Sequence, residues 1–343
     1  MVLPAFWKSN LKDIDDIVSS VKKGRVTTTY SPGKRPIYLV EYGTPNDYSY
    51  RTANFNSAAG AHDITCYRDK SREGTKPCVF LVGAMHGAEF EGTVAMLNLI
   101  SIIETGLDLA GDRYPEFEGI EDKMHLLLVP CANPDGRARV PVDAFGETSA
   151  EEFRKWAQGT WKKDGTLANW PGCKKVHPIK EASDFLGSYF DDNGVNLMHD
   201  DFFNPMAEET KLVFHLATKY APDLIAGLHG AAEMGYGIYH PGCATYEDLE
   251  EGLAFEKALK ETFEGKGIRY IETHCDNSVR EFNQTVALYY ACGALSVTWE
   301  SYQGVLARED ELMDVTVYDQ ILDAHFLFFD ECFKHVINKF AGE

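Results

Sequence analysis

The sequence predicts an α/β fold: a mixed, mostly parallel central sheet with helices on both faces. Three observations carry this. Short apolar runs alternate with amphipathic helical stretches along the chain, the pattern of strand–helix–strand units. The 343 residues are 44% hydrophobic, enough to fill one large core. No internal repeat or low-complexity segment breaks the alternation. The chain is therefore read as one domain, residues 1–343, with an irregular insertion at about 137–193.

The elements follow in order. Asn10 caps an opening helix, Leu11–Lys22, with Ile14, Ile17 and Val21 on one face. Arg35–Tyr42 reads as the first strand, and the polar stretch 46–76 as turns with room for an extra hairpin. Cys78–Ala84 is a strand, Glu91–Glu104 the helix after it, and Met124–Val129 the next strand, ended by Pro130. The insertion holds several prolines, Trp156, Trp161 and Trp170, and a short helix near Ala150–Ala157; connections this long are usually functional or subdomains. Helix Met206–Tyr220, strand Asp223–Leu228, helix Tyr246–Glu264, strands Ile268–Thr273 and Leu295–Glu300, and helix Val317–Phe340 complete the chain.

Composition excludes several function classes. A net charge of −20 offers no basic footprint for nucleic acid or an anionic membrane. No apolar run reaches the length of a membrane span. The first residues lack a basic, apolar signal pattern, although a leader removed upstream is compatible with this chain. Eight scattered cysteines without a Cys-x-x-Cys pair argue against a structural zinc cluster. Cys78, Cys131 and Cys292 read as core thiols, and the expected setting is reduced and cytoplasmic. The oligomeric state is left open.

In such sheets, ligands gather outside the carboxyl ends of the strands. Three predicted strand ends carry acid or imidazole groups. The first leads into LVGAMHGAEFEG (81–92), which presents His86 and, three residues on, Glu89. Asp223–Leu228 runs straight into His229, and Leu295–Trp299 ends on Glu300. Singly, each has an ordinary structural reading. Together, two imidazoles and one carboxylate form a hydrolytic zinc set that leaves a position for water. A further carboxylate is then needed to take the water's proton, and Glu300 has that character.

At these residues the sequence resembles the zinc metallocarboxypeptidases of the carboxypeptidase A-like fold. The resemblance rests on GAMHGAEFEG at 83–92, NPDG at 133–136, GVNL at 194–197, Glu209-Thr210, PDLIAGLHG at 222–230 and SVTWE at 296–300. It implies one zinc per chain held by His86, Glu89 and His229, with Glu300 as general base and then acid. It also implies an arginine for the oxyanion. Arg137 and Arg139, directly after NPDG, rank first, and Arg154 and Lys162 also stand in range.

The sequence departs from the family where the substrate's terminal carboxylate is gripped. The segment after GVNL normally continues Asn-Arg, and here Met198 and His199 occupy those positions. Histidine lacks arginine's bidentate fork. Substrate-binding roles are expected of Arg139, Asn196, His199 and Arg280, the last as a replacement clamp. The insertion's tryptophans offer an aromatic subsite or core packing, and Tyr236 or Tyr239 a wall of the site. The leading expectation is a zinc-dependent hydrolase cleaving a peptide-type amide bond. A deacylase or amidase acting on N-acyl amino acids is the alternative, followed by a non-catalytic metal- or ligand-binding module.

Overall fold

Apolar, β-forming runs supply the centre of the molecule. The structure is a computed structural model describing residues 2–146, 148–230, 235–239, 246–272, 282–305 and 316–342. Its strands are β1 (Arg25–Tyr30), β2 (Pro36–Tyr42), β3 (Cys78–Gly83), β4 (His125–Val129), β5 (Gly159–Trp161), β6 (Ser183–Leu186), β7 (Leu224–Gly230), β8 (Gly237–Tyr239) and β9 (Leu295–Ser301). Seven of them form one sheet in the order β1-β2-β4-β3-β7-β9-β8, and β5 and β6 make a separate ribbon. Strands β4, β3, β7 and β9 run parallel at its centre. The pairings β1–β2, β2–β4 and β8–β9 are antiparallel.

The larger helices are α1 (Leu11–Val18), α2 (Glu91–Thr105), α3 (Ala150–Gln158), α4 (Glu208–Tyr220), α5 (Tyr246–Gly265), α6 (Gln284–Cys292) and α7 (Thr316–Ala341). Alternation along the strands sorts them into two layers. Val79 and Leu81 of β3 pack with Ile14 of α1, Leu97 of α2, Phe255 of α5 and Phe328 of α7. Phe80 and Val82 pack with Val213 and Leu216 of α4 and Leu288 of α6. Helices thus cover both faces, as the sequence predicts. Each fully buried side chain of this kind, such as Phe80, contributes about 1.5–3 kcal/mol.

Several boundaries differ from the sequence expectation. Helix α1 stops at Val18 rather than Lys22. The carboxylate of Glu104, at the far end of α2, accepts the backbone N–H groups of Lys22, Lys23 and Gly24. That turns the chain into β1, a strand with no apolar alternation to announce it and largely exposed. In place of a hairpin, the stretch 46–76 holds a short helix, Phe55–Gly60, capped by Asn54, and a tight turn, Ile64–Cys66, capped by Asp63. Helix α6 was not anticipated. The expected strand at 268–273 is reduced, among the described residues, to one bridge between Tyr236 and Tyr270. Within the insertion, Ser149 and Glu152 form a capping box that starts α3.

The six described cysteines, Cys78, Cys131 and Cys292 among them, are free thiols. Among the described residues no helix is long and apolar enough to cross a membrane.

Candidate active site

The loop that follows β3 is fixed by close backbone packing. A Cβ on Gly87 would fall 2.1 Å from the Arg137 nitrogen, so glycine lets this loop lie directly on the Asn133–Arg137 turn. Asn133 donates from Nδ2 to the carbonyls of Met85 and Ser188, at 3.3 and 3.2 Å. The Gly87 N–H donates to the same Ser188 carbonyl at 2.8 Å. Asp135 accepts from Ser31 Oγ, the Gly33 N–H, Arg35 and the Asp192 N–H. The NPDG segment is therefore a clamp that joins three distant loops beneath His86.

His86 and Glu89 extend from this loop, and His229 comes from the end of β7. Their ligand atoms all lie within 4.8 Å of one another, and all three residues are buried. Glu89 meets Nδ1 of His86 at 3.0 Å and Nδ1 of His229 at 2.8 Å. Burial would raise the Glu89 carboxyl, and imidazoles that are protonated and face it lower it below the usual range.

The chemistry of this trio fits a metal ion. Asn196 Oδ1 accepts from the Met198 N–H at 3.0 Å, which identifies Oδ1 as the acceptor. His86 Nε2 lies 3.3 Å from the same oxygen and so donates to it. In the neutral ring this leaves a lone pair on Nδ1, aimed at a carboxylate. Two acceptors so placed need a cation between them, and an imidazole fixed through its other nitrogen is the usual partner of zinc. Asn196 is held in turn by the insertion, because its own N–H donates to His177 Nε2 at 2.9 Å. Burial lowers the pKa of His177, which keeps Nε2 an acceptor.

Glu300 stands beside His229 in register across β7 and β9. Burial pushes its carboxyl up, His229 opposes this, and the Glu89 charge adds to it. Tyr189, from the insertion, stacks on His86 with ring centres 4.0 Å apart and planes at 14°. Trp170 approaches the His199 ring at 5.8 Å, and the Lys174 ammonium lies over the Trp170 ring at 3.4 Å. Burial, then the charge of Lys174, drive His199 down to about 3, so it is a neutral ring near pH 7.

The expected cations are elsewhere. Arg137 is buried and gives Nε to the Ser9 carbonyl, Nη1 to Val140, and Nη2 to Val142 and Asp143, with its guanidinium over Phe90. With its donors spent on the fold, it does not supply an oxyanion contact. Arg139 is likewise committed to Asp192 and to the carbonyls of Gly187 and Phe190, which corrects its substrate-binding role. Asn196 turns its Oδ1 toward His86 Nε2. Arg154 and Lys162 are exposed. Tyr236 belongs to the core, against Trp299, whereas Tyr239 is exposed and within electrostatic reach of Glu300. Arg280 lies outside the described residues. Tyr189 had no signal in the sequence.

The sequence model of the zinc carboxypeptidase family matches residues 17–306. The chain belongs to the zinc carboxypeptidase family. Comparison with curated proteins returns no match. Among solved structures, the chain is similar to a metallo-carboxypeptidase from Burkholderia cenocepacia, at 15% identity and a TM-score of 0.58, covering 95% of this chain and 68% of that one. It is similar to thrombin activatable fibrinolysis inhibitor at 10% identity and a TM-score of 0.58, with coverage of 97% and 78%. For carboxypeptidase A from Helicoverpa armigera the values are 14%, 0.52, 98% and 74%. At these identities the likeness shows the carboxypeptidase fold. Family membership supports a metallopeptidase role, and the family is zinc-dependent.

Proposed function

We propose that this zinc carboxypeptidase family member hydrolyses a peptide-type amide bond, with one zinc per chain held by His86, Glu89 and His229. The observation that carries this is the convergence of these three ligand atoms within 4.8 Å, with Glu300 in register beside His229. When bound, zinc polarises a carbonyl and brings the acidity of water toward neutral pH. Glu300 takes the proton of the attacking water at its carboxylate and returns it to the leaving nitrogen. The balance is one water consumed, one carbon–nitrogen bond broken, and one carboxylate and one amine formed. Asn196 keeps the His86 tautomer that leaves Nδ1 free to bind metal. Tyr189 covers one face of His86 and excludes water from it.

Removal of an acyl group from an N-acyl amino acid is the second reading.

The test is direct. The purified protein is expected to hold about one zinc per chain. Glu300→Gln should retain that zinc while hydrolysis of peptide or N-acyl amino-acid substrates falls about 10²–10⁴-fold. Full activity in this variant would remove Glu300 from the mechanism. Comparing rates on dipeptides and on N-acyl amino acids distinguishes the two readings.

A further inference from the structure

We infer that Gln303 is the positioning residue of the metal-binding loop: its side-chain amide joins the turn carrying His86 and Glu89 to the two strand ends carrying His229 and Glu300. This role rests on the zinc-site reading above and names the residue that holds the ligands at their spacing.

Gln303 follows Glu300 by three residues, just past the end of β9, and is fully buried. A polar side chain buried there must find partners within the chain. Its Nε2 donates to the Ala88 carbonyl at 3.1 Å, and Glu91 Oε2 lies 3.3 Å from the same nitrogen. The Ala88 carbonyl belongs to the peptide unit that ends in the Glu89 N–H. That N–H donates to the His86 carbonyl at 2.9 Å. The peptide plane between the two ligands is thus fixed at both ends, from within the turn and from beyond β9.

The same side chain meets the third ligand's strand. Gly230 directly follows His229, and a Cβ on it would fall 2.5 Å from Gln303 Cγ and Cδ and 2.6 Å from Nε2. Glycine therefore lets the amide lie against the end of β7 and still reach Ala88. Beside it, Ser301 Oγ donates to the His229 carbonyl at 3.2 Å, in the register that sets Glu300 next to His229. A single amide thus touches the turn between His86 and Glu89 and the residue after His229, while its own backbone continues from Glu300. Ligands held this way before an ion arrives need no ordering when it binds.

The test uses the full chain, metal-free and zinc-loaded. Gln303→Met keeps the length of the side chain and removes its N–H donors. Zinc affinity, measured by competition with a chelator, is expected to fall about 10–100-fold. The visible absorption of the cobalt-substituted protein, which follows coordination geometry, should change shape. A merely structural glutamine would lower stability in urea and leave affinity per folded molecule and the cobalt spectrum as in the wild type; that result would overturn the inference. Gly230→Ala should reproduce the loss by displacing the amide. It should add little in Gln303→Ala, where the room it needs already exists. Equal losses in both backgrounds would mean that the amide does not link the strands.

Hydrogen exchange reads the turn without metal. In the metal-free protein, exchange at the Glu89 N–H should be about fivefold faster in Gln303→Met, the worth of one hydrogen bond, with the amides of Leu126–Leu128 in β4 unchanged. Should the wild type take up no zinc, the zinc reading fails, and this comparison alone decides whether Gln303 holds the turn. Zinc bound equally well by wild type and Gln303→Met leaves the zinc reading standing and removes the positioning role.

Discussion

The two ends of the central strands treat buried charge in opposite ways. At the amino-terminal end, Asp223 precedes β7 and is almost fully buried. It meets Lys70 at 2.5 Å and Arg68 at 3.3 Å, and accepts the Cys78 N–H that opens β3 at 2.9 Å. Its own N–H donates to the Cys78 carbonyl, and its carbonyl receives the Leu295 N–H that opens β9. One carboxylate with the chain's own cations thus pins three adjacent strands. At the carboxyl end of the same strands, Glu89 and Glu300 have imidazoles for company and no lysine or arginine in ion-pair contact among the described residues. His229 Nε2 is buried without a partner. Charge closed within the chain holds the fold, and charge left open is what an outside cation would meet.

This contrast can be broken at either end. The larger effect is expected at the closed end. Asp223→Ala removes the buried carboxylate shared by two partly buried cations and should cost about 3 kcal/mol in urea unfolding, with zinc content per folded molecule unchanged. Loss of zinc in that variant would mean that the two ends are not independent. At the open end, Asn196→Ala removes the acceptor that orients His86. Zinc affinity should fall about 10–100-fold, measured by competition with a chelator, while stability of the metal-free protein changes little.

Glu209 at the start of α4 is a third case. It is buried near Asp191 with, among the described residues, neither cation nor hydrogen-bond partner for its side-chain oxygens, and burial raises its carboxyl to about 8. A folded pKa above the unfolded value near 4.5 contributes stability that is full below about pH 4.5. That contribution is lost as pH rises toward about 8. Relative to the wild type, Glu209→Gln should therefore gain about 3–4 kcal/mol between pH 5 and pH 8, each unit of separation being worth about 1.4 kcal/mol. A parallel pH profile for the two proteins would show that Glu209 finds a cation after all.

The four groups at the open end were legible in the sequence because strand ends are local features. An apolar run followed by His86 and Glu89 needs only three residues of spacing, and His229 and Glu300 each terminate a run. β1 was not legible, because its pairing with β2 depends on Glu104, some eighty residues away, catching the turn before it. The roles of the arginines were not legible for the same reason. Arg137 is set by Ser9, 128 residues distant.

The sequence by itself determined the central strands and most of the helices between them, the placement of helices on both faces and the residue types at three strand ends. These follow from periodicity and from chemistry carried within a few residues. Only the tertiary structure decided which polar groups are already satisfied. It set Arg137 and Arg139 against backbone carbonyls, turned Asn196 toward His86, and folded the insertion so that Tyr189 stacks on His86. A donor can be used once, and spacing along a chain does not say by whom.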